Sequence, residues 1–140
     1  MKNHNVYDFT ANAETAIKNG DIRQIILFSN IHLPINKFLN SFENKKEIDA
    51  TDEFPYKQIL IKSRNPFRIG EIHTRIIYLE NIFNIDFNKN AFTTAIKDIC
   101  KKFKGSINAL PINGPLLSVR KDILDILEAN VFNTKVVILN

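Results

Sequence analysis

Apolar residues in this chain recur three and four positions apart, the spacing that lines them along one face of an α-helix. Ile35, Phe38, Leu39 and Phe42 form one such stripe, and Phe92, Ala95, Ile96, Ile99, Cys100 and Phe103 form the most regular one. Ile69, Ile72, Ile76, Leu79 and Phe83 form a third, widened by Ile77, Tyr78 and Ile82. Repeats of that period predict helices. The widened stripe predicts a long, central and largely buried helix over about 68–84.

Helix terminators agree with the spacing. Asp8 can cap a helix running to about Asn19, with Phe9, Ala13, Ala16 and Ile17 on one face, and Asn19-Gly20 ends it. Asp21 can cap a second helix carrying Ile22, Ile25, Ile26 and Ser29. Pro34 suits the first turn of a third. After the turn at Asn65-Pro66 and the long helix, Asn88 or Asn90 opens a Lys-rich helix over 89–104 that stops at Gly105. Pro115 opens a last helix with Val119, Ile123, Ile126 and Leu127 inward. Tyr56–Lys62 alternates weakly and Lys135–Leu139 is a short apolar run, so both read as strands, expected to pair with each other. Ser106 to Gly114 reads as loop or short strand.

The phrase Ala16-Ile17-Lys18-Asn19-Gly20-Asp21-Ile22 resembles the turn between the two helices of an ankyrin repeat. No second copy follows about 33 residues on, so the resemblance implies one antiparallel helical hairpin and no repeat array. The expected fold is mainly α with minor β: a small helical bundle of about five or six helices plus a short two-stranded sheet. At 140 residues the chain is expected to be a single domain over 1–140, with an N-terminal helical part (8–44), a polar loop (45–55) and a C-terminal unit (56–139).

Composition narrows the class. The chain holds 22 Ile, 18 Asn, 14 Lys and 11 Phe but only 4 Gly and 5 Arg, a bias that fits an AT-rich gene of the kind carried by phages and mobile elements. Cys100 is the single cysteine, which excludes an internal disulfide. The longest apolar runs (Ile25–Phe28, Ile76–Leu79, Val136–Leu139) fall far short of the roughly 20 residues a membrane helix needs. The N-terminal Met1-Lys2-Asn3-His4-Asn5 has no apolar run after its charge and so lacks the form of a secretory signal. A cytoplasmic location is expected.

Catalytic and metal constellations are missing. His4, His32 and His73 stand alone, without a second ligand at helical spacing, and so few glycines leave no room for a phosphate-cradling loop. Cys100 sits inside an apolar stripe, where a thiol is inert. Ser118-Val119-Arg120-Lys121 matches the Ser-x-x-Lys spacing of penicillin-binding enzymes, but their partner motifs are absent. Asp122, Asp125 and Glu128 read as a solvated strip. No enzyme, metal or cofactor is expected.

Two surface features remain. The Lys-rich helix carries Lys97, Lys101 and Lys104 at i, i+4 and i+7, with Thr93 and Thr94 near its start, a set suited to phosphate and base-edge contacts. Phe54, Phe67 and Phe132 fall outside the apolar stripes at element ends, where shared exposure would make a protein-binding patch. The expected function is a non-enzymatic interaction protein, such as a small binder, inhibitor, immunity or accessory protein, acting on a protein partner through that patch. A second copy of the chain is an allowed partner. The alternative is a small DNA- or RNA-binding regulator that uses the lysine face.

Overall fold

A computed structural model of the chain describes residues 4–9, 11–42, 44–65, 67 and 69–140, with Leu33 described without its side chain. Pro66 of the expected turn, Arg68 at the expected helix start and the first three residues of the N-terminal reading lie outside the described residues.

Ile25, Ile26, Leu27 and Phe28 are all fully buried, as are Ile76, Ile77 and Leu79, and a helix with a wet side cannot bury such runs. These segments are strands. The elements in chain order are β1 (Val6–Asp8), α1 (Ala13–Asn19), β2 (Gln24–Phe28), α2 (Leu33–Leu39), β3 (Lys45–Ile48), β4 (Lys57–Ser63), β5 (Ile72–Leu79) and α3 (Lys89–Lys102). They are followed by β6 (Ile107–Pro111), a short 3-10 helix (Gly114–Val119), α4 (Arg120–Asn130) and β7 (Lys135–Leu139). The strands form one seven-stranded sheet in the order β1-β7-β6-β2-β5-β4-β3. β1, β7, β6, β2 and β5 run parallel, and the β3–β4 hairpin adds antiparallel to β5.

The expected mainly α bundle is therefore corrected to an α/β fold with, among the described residues, four α-helices and a large mixed sheet. The second expected helix is β2, and the central helix expected over 68–84 is β5. The physical reason is double burial. A parallel strand covered by helices on both faces has no wet side, so it reads as a continuous apolar run in which a helical spacing can be picked out. β7 is a strand as expected, but its neighbours are β6 and β1 and not β4. Lys45–Ile48, within the stretch read as a connecting loop, is β3. The turn that resembled a repeat hairpin leads from α1 into β2.

Two cores sit on opposite faces of the sheet. On one, Ala13, Ala16 and Ile17 of α1 and Ile35 and Leu39 of α2 pack on Ile25, Leu27, Ile61 and Ile76. On the other, Phe92, Ile96 and Ile99 of α3 and Ile123 and Leu127 of α4 pack on Ile26, Phe28, Ile77 and Leu110. This division follows from right-handed crossovers. The chain moves one way across the sheet from β1 to β2 to β5, then back from β5 to β6 to β7, which puts the two helix pairs on opposite faces. Among the described residues no helix is long and apolar enough to cross a membrane.

Candidate interaction surface

Tyr7, Val137, Ala109 and Ile25 lie side by side across four adjacent strands. Helix α1 has only seven residues, and it covers the Ile25 end of this row but not the Tyr7 end. The result is a recess of about 520 Å³ on the α1 face, whose apolar lining includes Tyr7, Phe9, Ile22, Ile107, Ala109 and Val137. Its floor is Val137 and Ala109, and the lack of side chain beyond Cβ at Ala109 adds to its depth. Asp21 and Arg23 stand at its border, and Arg23 is held there by donation from Nε to the carbonyl of Gly20, 3.1 Å away.

A second recess adjoins the first and shares Gly105, Ser106 and Ile107 with it, adding Phe132 on the far side. Tyr7 (40 % exposed), Phe9 (42 %), Ile107 (52 %) and Phe132 (66 %) thus gather on one continuous concavity. They are half of the eight exposed large apolar side chains among the described residues, so the concavity is a concentration and not a random scatter.

Beside it runs the free edge of β1, the outermost strand. The Val136 N–H donates to Asn5 O at 2.8 Å and the Phe9 N–H donates to Ile138 O at 2.9 Å, so the main chain of residues 5, 7 and 9 faces β7. The N–H and C=O groups of Val6 and Asp8 consequently point away from the sheet, a template for another strand that is unpaired among the described residues. The Asp8 side chain is held on the opposite face by Arg120, 3.1 Å away.

The residues singled out in the sequence are distributed as follows. Phe132 lies on the concavity. Phe67 is 94 % exposed, in the loop between β4 and β5. Phe54 is 3 % exposed and belongs to the core, its ring 5.1 Å from Tyr56 and 5.4 Å from Phe103. The structure does not bring these three together. On α3, Thr94, Lys97 and Lys101 are exposed, while the Thr93 hydroxyl donates back to Lys89 O at 2.8 Å. Lys104 is exposed beyond the end of the helix, after Phe103 turns out of helical geometry. Lys89, at the start of the helix, is paired with Asp122 of α4 at 3.5 Å.

Sequence reasoning missed Tyr7, Phe9 and Ile107, which lie far apart in the chain and meet only through strand order. His32, which stands alone in the sequence, lies in the turn between β2 and α2. In an open α/β sheet, the carboxyl ends of adjacent strands whose connections leave to opposite faces form a natural ligand crevice. Here those strands are β2 and β6, and His32, 1 % exposed, occupies the position between Phe28 and Pro111. Among the described residues there is no group of three or more His, Cys, Asp or Glu side chains placed to hold a metal ion. Comparison with protein families, with curated proteins and with solved structures finds no match for this chain.

Proposed function

We propose that the chain is a non-enzymatic interaction protein that captures an extended, apolar segment of a partner protein along β1 and the adjoining recesses. The observation that carries this reading is the gathering of Tyr7, Phe9, Ile107 and Phe132 beside an open strand edge. An extended segment offers main-chain groups to the outward N–H and C=O of Val6 and Asp8. Its alternate side chains can fall into the apolar concavity, which is how strand addition combines affinity with selectivity. The border carries both signs of charge, Asp21 and Arg23 on one side and Lys135 on the other, so the occupant is chosen by apolar anchors more than by net charge. A cytoplasmic site of action goes with this reading, supported by a lone cysteine that is buried as a free thiol.

Panning a display library of random linear peptides against the purified chain tests it. Binders should carry large apolar residues at alternate positions and lose affinity by at least about tenfold on Ile107→Lys and on Tyr7→Ser. Both positions are exposed enough for the variants to fold. Binders indifferent to both substitutions would overturn the proposal. A concentration-dependent dimer abolished by Ile107→Lys would also overturn it, by making the occupant a second copy of the chain.

A further inference from the structure

On the α1–α2 face, another recess of about 550 Å³ forms where the end of α1, the end of α2 and the chain after β4 meet. Its composition differs from the apolar concavity in kind. Among the described residues that line it, Lys18 and Arg64 are cationic, none is a carboxylate, and Phe38, Phe42 and Phe67 supply aromatic rings. Neither cation has an ion-pair partner among the described residues. The Lys18 ammonium stands 5.2 Å from the centre of the Phe38 ring, which keeps this charge at the recess wall.

Asn65 links the Phe67 main chain to α1. Asn65 donates from Nδ2 to Lys18 O at 3.1 Å and accepts at Oδ1 from the Phe67 N–H at 2.8 Å. One amide side chain thus joins the Phe67 N–H to the end of α1, at the recess that Lys18, Arg64 and Phe67 all line. Burial of a phenyl ring is favourable and a core lies close by, yet this ring is left 94 % exposed. An open ring in a recess that also holds two cations, lined in addition by Asn and Ser side chains, supplies what single-stranded nucleic acid uses: stacking for a base and positive charge for nearby phosphates. An acidic peptide would engage the cations but not the ring. A duplex keeps its bases stacked and cannot offer one to a concave site.

We infer that this recess binds single-stranded nucleic acid, with a base stacked on Phe67 and neighbouring phosphates held by Lys18 and Arg64. The site is separate from the apolar concavity, and the inference does not depend on the function assigned to it.

Fluorescence anisotropy of a labelled oligothymidine of about 15 nucleotides, titrated with the full chain over a range of salt, is the test. Binding should weaken with salt, and Lys18→Glu with Arg64→Glu should make the slope of log affinity against log salt shallower by about 1.4, the share of two phosphates on a single strand. Phe67→Ala should weaken binding by about tenfold with the slope unchanged, as loss of a stack without loss of charge requires. Phe132→Ala should bind like the parent. The inference is overturned by no binding at low salt, by equal or tighter binding of a duplex, by equal competition from polyglutamate, or by loss of binding on Lys97→Glu with Lys101→Glu in place of the Lys18 and Arg64 pair.

Discussion

His32 and Pro111 are joined by a hydrogen bond of 2.9 Å from imidazole Nε2 to the Pro111 carbonyl, across the carboxyl ends of β2 and β6. The other ring nitrogen, Nδ1, accepts from the Phe28 N–H, also at 2.9 Å, which fixes the proton on Nε2. Pro111 ends β6 and Phe28 ends β2, so one neutral ring satisfies two buried main-chain groups on adjacent strands. The position that a sheet of this topology leaves open for ligands is filled by the protein itself.

This arrangement makes stability depend on pH with a definite sign. Burial lowers the His32 pKa from 6.5 to about 4, outweighing the opposing effect of the hydrogen bond to Pro111. Between those values the unfolded chain binds the proton and the folded chain does not. The contribution of His32 is therefore complete above about pH 6.5 and is lost as pH falls towards 4, by about 2–3 kcal/mol at pH 4.5. Urea unfolding at pH 7.5 and pH 4.5 checks it. The variant His32→Gln should be less stable at pH 7.5 yet lose less between the two pH values than the parent does. Parallel losses would show that His32 does not carry the acid sensitivity.

The helices legible in the sequence are those with one wet face. α3 buries Phe92, Ala95, Ile96 and Ile99 and exposes Thr94, Lys97 and Lys101, so its period survives in the pattern. β2 and β5 have no wet face over Ile25–Phe28 and Ile76–Leu79, and period alone cannot separate such a run from a buried helix. Paired β-branched residues, Ile25-Ile26 and Ile76-Ile77, were the signal for strand, together with run lengths too short for a helix. The concavity was legible only at Phe132. Tyr7 and Ile107 are about a hundred positions apart in the chain and become neighbours because β7 lies between β1 and β6.

Thr74 is 2 % exposed on β5, opposite Ile61, and its hydroxyl has no hydrogen-bond partner among the described residues. A buried hydroxyl that has lost its water without replacement destabilises the fold, and valine has nearly the same shape without that cost. Thr74→Val should raise stability by about 1 kcal/mol, seen as a rise of about 3 °C in Tm. A fall in Tm would show that the hydroxyl is engaged in solution.

Gly20 closes α1 in the left-handed conformation, φ 73° and ψ 18°, and its N–H reaches back to Ala16 O and Ile17 O. The Asp21 N–H also donates to Ala16 O, at 2.9 Å, so the chain reverses here over two residues before β2 begins. A Cβ in this region costs about 1–2 kcal/mol, and asparagine tolerates it better than alanine does. Denaturant midpoints should fall in the order Gly20, Gly20→Asn, Gly20→Ala. Equal midpoints would mean the helix end relaxes to a right-handed form.

Phe54, Phe67 and Phe132 share a side chain and differ in surroundings, so truncating each to alanine separates packing from surface. Phe54 meets Tyr56 and Phe103 edge-on inside the core below α3, and its removal leaves a cavity that its neighbours fill only in part. Phe54→Ala should cost about 3–4 kcal/mol. Phe67 and Phe132, 94 % and 66 % exposed, lose little apolar contact on truncation, so each alanine variant should stay within about 0.5 kcal/mol of the parent. Chemical denaturation of the three variants at pH 7.5, above the range in which His32 titrates, reads the contrast directly. A cost at Phe132 comparable to that at Phe54 would mean that Phe132 closes the core in solution, which would remove it from the concavity beside β1.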